Sequence, residues 1–547
     1  MKLCANLIDI ENEEINFSEI LIENGHINAI FKIKDGAKEG ERYMLPGFVD
    51  AHVHIESSLL SPAQFARMAV VHGTVGTVSD PHEIANILGV KGVEWMLENA
   101  QKVPFKFCFG APSCVPATDF ETAGAIISPL DIENLFDSYP QIGYLAEVMN
   151  YPGVLNNDAD MMAKIAIAKS KNKPIDGHAP GLRGELAHKY AAAGPSTDHE
   201  CYTEAEALDK LAVGMKILIR EGSAAKNFDA LIGLLPEYYP NIMFCSDDKH
   251  PDSLLVGHIN ELVKRALKLG YNLFKILQVA CINPVNHYKL PIGLLKINDP
   301  ADFILIDNPS DFNILETYIN GIILAKNSQS LMESVLPTFV NNFNCKPKSA
   351  IDFRIKNEIG KNVKVIEVLD GQLITNQSIA VNDFMGEYFV ANEAEDILKI
   401  AVINRYFDAP IAVGFIKNFG IKNGAIASSV AHDSHNIIVV GTSDFLLEKA
   451  SNLVINQMGG LSAVEGNGPE LCLPLPIAGL MSSLDGYQVA EKYTEIDNFA
   501  KEILQSTLKS PFMSLSFMAL LVIPDLKLSD KGLFDGQNFC FTTLFKN

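Results

Sequence analysis

The sequence lacks the features that would point to a disulfide-rich, secreted or membrane protein. Its nine cysteines, an odd number, include no Cys-x-x-Cys pair, which argues against a disulfide framework and against a thiolate zinc site. No apolar run approaches the ~18 residues of a membrane span, and residues 515–523, among the longest, fit a buried strand. Asp9 and Glu11 spoil the apolar core of any signal peptide. We therefore expect a cytoplasmic protein with reduced cysteines.

Positive charge is also scarce. The sequence has 44 Lys and Arg residues against 66 Asp and Glu residues, a formal net charge of −22. Such a surface repels nucleic acids and anionic membranes, so neither is an expected partner. The net negative charge of the protein is compatible with a neutral small-molecule substrate. With 547 residues, of which 48% are hydrophobic, the chain is expected to form two to four domains with large cores.

Short strands occur on both sides of a longer central region. Residues 1–45 contain three predicted strands and an Asn-Gly turn at 24–25, and residues 287–345 contain similar strands around a second Asn-Gly turn at 320–321. We expect these two segments to form one composite β-sandwich domain. Residues 346–547 are predicted to form a separate α/β or α+β domain.

Between residues 46 and 286 short apolar strands alternate with helical stretches. Eight strands in roughly 240 residues are typical of a (β/α)8 TIM-like barrel. The first predicted strand begins at Phe48, and the others cover 76–79, 105–109, 143–147, 174–177, 196–199, 216–220 and 242–246.

Histidines and carboxylates recur at the ends of these strands. The first strand lies in the sequence PGFVDAHVH (46–54), in which His52 and His54 are two residues apart and therefore point the same way. Active sites of such barrels lie at the carboxyl ends of the strands, and imidazole and carboxylate groups are ligands of divalent transition ions. Six predicted ligands, enough for two metal ions, are His52, His54, Glu147, His178, His199 and Asp247.

A pair of ions suggests hydrolysis. A water that bridges them would lose a proton near neutral pH and give a hydroxide close to the substrate. Asp247 could take a proton from that hydroxide and deliver it to a leaving group. The predicted reaction class is metal-assisted hydrolysis.

The motifs around these positions resemble those of adenine deaminases in the amidohydrolase superfamily. They span nearly the whole chain and are PGFVDAHVHIESS (46–58), DPHEIAN (80–86), APSCVPA (111–117), AEVM (146–149), GHAPG (177–181), SDDKHP (246–251), AHDSHN (431–436) and PFM (511–513). The resemblance implies hydrolysis of adenine to hypoxanthine and ammonia in purine salvage, with manganese or iron as the metal. It also implies that Glu147 is the carboxylate that bridges the two ions, that residues 346–547 form the family's C-terminal domain, and that the protein is a homodimer.

Further residues are candidates for contact with a purine. Glu83 and Glu121 are candidates for protonating the ring, alongside Asp247 as the proton shuttle. Glu83 and His82 could instead belong to an outer metal site, and Asp80 before them could start a helix. The candidate substrate-binding residues are Glu56, His82, Ser113 and Asp248.

Two of these assignments depend on local geometry. Asp248 would point away from Asp247 if the strand persisted, and would then orient a neighbouring group. His432 and His435 could ligate metal or reach the substrate, but a polar turn between two buried strands explains them equally well.

Two other functions remain open from the sequence. A related barrel could hydrolyse a cyclic amide, as dihydroorotase-like and hydantoinase-like enzymes do; release of ammonia from adenine would separate the two activities. A metal-binding scaffold without turnover is disfavoured because all six ligand positions are intact. The cytidine-deaminase motif is excluded because His54-Ile55-Glu56 has no Pro-Cys-x-x-Cys partner.

Overall fold

The structure is a computed structural model that describes residues 1–381 and 384–546. It begins with four strands: β1 (Lys2–Asp9), β2 (Glu14–Glu23), β3 (His26–Lys34) and β4 (Tyr43–Pro46). The predicted hairpin turn joins β2 to β3, and Asn24 and Gly25 have φ values of 50° and 80°. Positive φ at both central residues is what a type I′ hairpin turn requires, and Asn-Gly adopts it readily.

All eight predicted barrel strands are confirmed. They are β5 (Phe48–Val53), β6 (Thr74–Ser79), β7 (Lys106–Ala111), β8 (Ile142–Val148), β9 (Ile175–Gly177), β10 (Thr197–Asp198), β11 (Lys216–Arg220) and β12 (Ile242–Cys245). Strands β5 to β9 form one parallel sheet and β10 to β12 a second. The backbone N–H of Ser196 donates to the Ile175 carbonyl (2.8 Å), and that of Asp247 donates to the His52 carbonyl (2.9 Å). These two hydrogen bonds join the sheets at both seams and close the barrel.

Helices follow the barrel strands and cover them. They are α1 (Pro62–Ala69), α2 (His82–Leu88), α3 (Val90–Ala100), α4 (Pro129–Ser138), α5 (Tyr151–Leu155), α6 (Ala159–Ser170), α7 (Gly184–Ala193), α8 (Glu204–Ala212), α9 (Phe228–Leu231), α10 (Leu235–Tyr238), α11 (Pro251–Val256), α12 (Ile259–Lys268), α13 (Leu273–Leu277) and α14 (Asn283–Tyr288). The Asp158 side chain accepts the Met161 N–H at the start of α6, as expected of an N-cap residue. No helix of the described ranges is both long and apolar enough to cross a bilayer.

A buried polar group links the first and last barrel strands. Asp50 accepts hydrogen bonds from the Ser246 backbone N–H (2.9 Å) and from His258 Nε2 (2.8 Å), and Thr74 Oγ1 lies 2.7 Å from His258 Nδ1. All four residues are buried. Because a buried polar group without a partner is costly, this network fixes β5 against β12 and gives His258 a role in the core.

The segments on either side of the barrel pair with each other. The strands β13 (Phe303–Ile306), β14 (Ile314–Ile319), β15 (Ile322–Lys326) and β16 (Gln329–Ser330) join β1 to β4 in one eight-stranded sheet. Its centre is β4, which runs parallel to β1 and antiparallel to β13. Residues 1–45 and 287–345 therefore contribute to one composite β unit. Residues 331–349 contain neither helix nor strand and lead to the C-terminal region.

The C-terminal region is built on a nine-stranded mixed sheet. The strands of this region are β17 (Ile355–Lys356), β18 (Asn362–Val368), β19 (Thr375–Ala380), β20 (Tyr388–Phe389), β21 (Ile397–Ile403), β22 (Ala412–Lys417), β23 (Gly424–Ser428), β24 (Ile437–Gly441), β25 (Gly460–Glu465), β26 (Glu470–Pro474), β27 (Leu526–Ser529), β28 (Gly532–Asp535), β29 (Cys540–Phe541) and β30 (Phe545–Lys546). The nine-stranded sheet consists of β18, β19, β21 to β26 and β30. The helices of this region are α15 (Asp444–Asn456), α16 (Gly486–Asn498) and α17 (Pro511–Ser516).

One prediction for this region is wrong. Residues 515–523 do not form a strand: α17 is followed by a 3-10 turn at Phe517–Ala519. Residues 515–521 are all buried, so apolar and polar residues do not alternate with the period of an amphipathic helix. In a short apolar run of this kind, a buried helix cannot be distinguished from a buried strand by periodicity alone. Pro511, at the first position of the helix, is the local signal that favours a helix here.

Candidate active site

Four imidazoles and two carboxylates converge at the carboxyl end of the barrel, and all six predicted metal-ligand side chains are buried. Glu147 lies at their centre. Its Oε1 is 3.4 Å from His54 Nε2, and its Oε2 is 2.8 Å from His178 Nδ1 and 3.1 Å from His199 Nε2. The two oxygens of one carboxylate therefore face two separate sets of imidazoles.

Asp247 completes the first set. Its Oδ1 is 3.3 Å from His54 Nε2 and 3.7 Å from His52 Nε2, and the two imidazole Nε2 atoms are 3.2 Å apart. Ligand atoms that lie ~2.1 Å from one tetrahedral ion are separated by ~3.4 Å. The donor types and their spacing thus fit a divalent cation.

The backbone at Asp247 explains why its neighbour also faces the site. Strand β12 ends at Cys245, and Asp247 has a φ of 53°, in the left-handed region. The alternation of a strand is therefore lost, and Asp247 and Asp248 both line the same cavity. The expectation that Asp248 points away is corrected on this point; its Oδ1 accepts a hydrogen bond from Ser57 Oγ (2.5 Å).

Arg220 and Glu200 belong to the site and were not predicted. Arg220 Nη1 donates to Asp247 Oδ2 (2.6 Å) and to Glu200, while Nη2 donates to the Tyr202 hydroxyl (2.7 Å). Burial raises the pKa of Asp247, but the guanidinium of Arg220 and nearby imidazoles outweigh it and hold that pKa well below its usual range. Arg220 is the last residue of β11, so the strand-end rule that identified the histidines could also have found it.

We expect replacement of Arg220 by methionine to destabilise the protein. Asp247 and Glu200 would keep their charges in a buried site, and breaking a buried ion pair in this way costs about 3–5 kcal/mol. The measurement is the shift in thermal unfolding of the metal-loaded protein. The matched control is Arg183→Met, whose partner Asp209 lies at the surface, where an ion pair contributes about 0–1 kcal/mol. Equal shifts for the two variants would contradict the structural role of Arg220.

Two more predicted residues, His82 and Glu83, lie on the cavity wall. His82 Nδ1 is 3.4 Å from Glu147 Oε1, and its Nε2 is 3.6 Å from Glu83 Oε1. Asp80 accepts the His82 backbone N–H (3.0 Å) at the start of α2, in agreement with a helix-start role. His82 therefore lies between Glu147, one of the predicted metal ligands, and Glu83.

Three predicted residues lie behind the residues that line the cavity. Glu56 accepts the Ile84 N–H (3.2 Å), Ser113 Oγ donates to the Glu147 carbonyl (2.6 Å), and Glu121 accepts from Ser434 Oγ (2.8 Å). Burial raises the pKa of Glu56 to about 7 and that of Glu121 to about 8. Their contact with a substrate stays a prediction.

The C-terminal region supplies part of the cavity. The segment with His432 and Asp433 connects β23 to β24, and both side chains line the cavity. Glu83 accepts hydrogen bonds from His432 Nδ1 (2.5 Å) and from His435 Nε2. The sequence 430–436 is thus a turn between buried strands that also reaches the barrel.

Comparison with known proteins decides the family. Residues 43–324 match the amidohydrolase family, and residues 372–540 match the adenine deaminase C-terminal domain. The chain is 53% identical to adenine deaminase of Sulfurovum sp. over 99% of both chains, and 51% identical to that of Borreliella burgdorferi, also over 99% of both. The enzyme of Salinibacter ruber is 49% identical over 99% of this chain and 98% of its own. The chain belongs to the adenine deaminase family.

Membership of the adenine deaminases explains the domain order around the site. The amidohydrolase match covers the barrel together with β4, β13 and β14, and the adenine deaminase C-terminal match includes His432, Asp433 and Phe517. The candidate groups for a divalent metal ion that consist only of predicted ligands, His52 with Glu147 and His199 and His52 with His54 and Asp247, lie in the barrel. A cyclic-amide hydrolase is not favoured, because the C-terminal match belongs to adenine deaminases.

Proposed function

We propose that this protein hydrolyses adenine to hypoxanthine and ammonia, a reaction of purine salvage. The observation that carries the proposal is the convergence of four imidazoles and two carboxylates in one buried cavity. The chain around that cavity is about half identical to adenine deaminases over nearly its full length. The substrate would be a neutral small molecule, and the family resemblance favours a homodimer.

Two metal ions, manganese or ferrous iron, would occupy the site. His52, His54 and Asp247 would hold one ion, His178 and His199 the other, and Glu147 would contribute one oxygen to each. Such ions lower the pKa of a bound water and polarise the group under attack.

The protein's own groups would handle the protons and the substrate. Asp247 Oδ1 faces the imidazoles of His52 and His54, where a hydrolytic water would react, while Oδ2 is held by Arg220. The carboxylate would thus lie beside both the metal ion and the attacking water, and it would move a proton from that water to the departing amino group. Leu373, Phe517 and Leu520 add apolar side chains to the lining of the cavity, which would suit a flat aromatic ring.

The test is a substrate comparison with protein reloaded with Mn²⁺ or Fe²⁺. We expect ammonia and hypoxanthine from adenine, about two bound ions per chain, and no ring opening of dihydroorotate or hydantoin. Ring opening without deamination would favour the cyclic-amide activity. Full metal occupancy with no change in adenine absorbance would favour the alternative that the protein is a metal-binding scaffold without turnover.

A further inference from the structure

The C-terminal region places one imidazole at the cavity that is not among the proposed metal ligands. His432 lines the cavity together with the barrel residues and is buried. Its Nδ1 is 2.5 Å from Glu83 Oε1, and its ring stacks on Phe517 with centroids 5.0 Å apart and planes 25° apart. A hydrogen bond on one edge and a stacked ring on one face fix the orientation of this imidazole.

Glu83 is held from two sides. Its Oε2 accepts a hydrogen bond from His435 Nε2, and the Nδ1 of that histidine accepts the Ala431 backbone N–H (3.3 Å). His435 therefore carries its hydrogen on Nε2 and acts as a donor to Glu83. Since each oxygen of Glu83 is already engaged by an imidazole, this carboxylate is arranged to hold His432.

The second nitrogen of His432 is the free one. Among the described residues, its Nε2 has no hydrogen-bond partner, whereas Nδ1 is engaged by Glu83. Burial lowers the pKa of His432, but the nearby carboxylates, Glu83 foremost, outweigh it and raise that pKa to about 9. The imidazolium form carries a hydrogen on each nitrogen, so Nε2 can act as a donor toward the cavity.

We propose that His432 binds the purine ring by donating a hydrogen bond from Nε2 to one of its ring nitrogens, and that Glu83 is the positioning residue for His432. The proposal rests on the proposed function, because it takes the purine as the ligand of this cavity. Adenine offers N1, N3 and N7 as acceptors. Phe517 and Leu520 line the same cavity as His432 and would contact the ring face while His432 contacts its edge. The C-terminal region would thus contribute to recognition of the substrate that the barrel hydrolyses.

The test compares binding of 1-deaza-, 3-deaza- and 7-deazaadenine to the metal-loaded protein by calorimetry. Each analogue lacks one acceptor nitrogen. His432→Phe keeps an aromatic ring against Phe517 but removes Nε2. Two of the three analogues are therefore expected to bind this variant about 10- to 100-fold more weakly than they bind the unaltered protein, the range for a lost hydrogen bond to a charged group. The third analogue, which lacks the partner atom, is expected to bind both proteins equally.

Further variants separate this role from a structural one. His432→Gln keeps a side-chain donor and is expected to lose less affinity in the same pattern, and Glu83→Gln should reproduce that pattern in milder form. His188→Phe is the matched control at an exposed histidine and should bind all three analogues as the unaltered protein does. Metal content should be unchanged in every variant.

Several outcomes would overturn the proposal. They are unchanged binding of all three analogues to His432→Phe, equal weakening of all three, and loss of metal from that variant. Failure of the unaltered protein to deaminate adenine would instead contradict the proposed function. The binding of the three deaza analogues could still be measured in that case.

Discussion

Replacing Asp247 with asparagine is expected to lower kcat for adenine by at least ~100-fold, as for a positioned proton-transfer group, while metal content stays nearly intact. The amide keeps an oxygen that can face His52 and His54 but cannot take a proton at neutral pH. The Arg220 guanidinium, 2.6 Å from Asp247 Oδ2, would then face the amide NH₂, which is a donor like itself, and would keep Glu200 as its carboxylate partner. Turnover of adenine and bound metal per chain are the two measurements.

The control for this variant is Asp229→Asn, at an exposed carboxylate with an Arg265 partner, which should leave both quantities unchanged. Near-normal turnover by Asp247→Asn would contradict the proton-transfer role. A parallel fall in metal content and kcat would instead identify Asp247 as a ligand without a separate role in proton transfer.

Replacing Glu147 with glutamine is expected to lower the occupancy of one or both metal ions and to abolish most activity. Both carboxylate oxygens face imidazole nitrogens, at distances between 2.8 and 3.4 Å. A glutamine offers one oxygen and an NH₂ group, which cannot ligate a cation, so it cannot serve both ions. Metal analysis of the purified variant, before and after reloading with Mn²⁺, is the measurement.

The control for Glu147 is Glu237→Gln, at an exposed position, which should bind metal normally. Unchanged metal content in Glu147→Gln would remove Glu147 from the bridging position. In that case, His178 and His199 would need another carboxylate, and Glu200, whose Oε1 is 3.5 Å from His199 Nε2, is the nearest alternative.

The sequence predicted which side chains converge at the candidate metal site because one physical rule relates strand ends to a common location. Parallel strands of a closed barrel bring their carboxyl ends to one rim. Residues far apart in the chain, such as His54 and Asp247, could therefore be placed together before their contact was known. The same rule applied to β11 would have added Arg220.

The rule fails where the backbone leaves the strand. Asp248 was expected to point away because alternation was extended past Cys245, whereas the left-handed conformation of Asp247 ends it. The strand predicted at residues 515–523 is wrong for a related reason: residues 515–521 are all buried, so no alternation of buried and exposed side chains distinguishes a helix from a strand there.

By itself, the sequence determined the barrel, its eight strands and the six side chains that converge at its rim, because side-chain period and the polar residues at strand ends are local features that recur along the chain. Only the tertiary structure decided that Glu83 in the barrel is held by His432 and His435, residues about 350 positions away. No local pattern encodes such a contact. It exists because the turn between β23 and β24 packs against the open end of the barrel, where burial requires each polar group to find a partner.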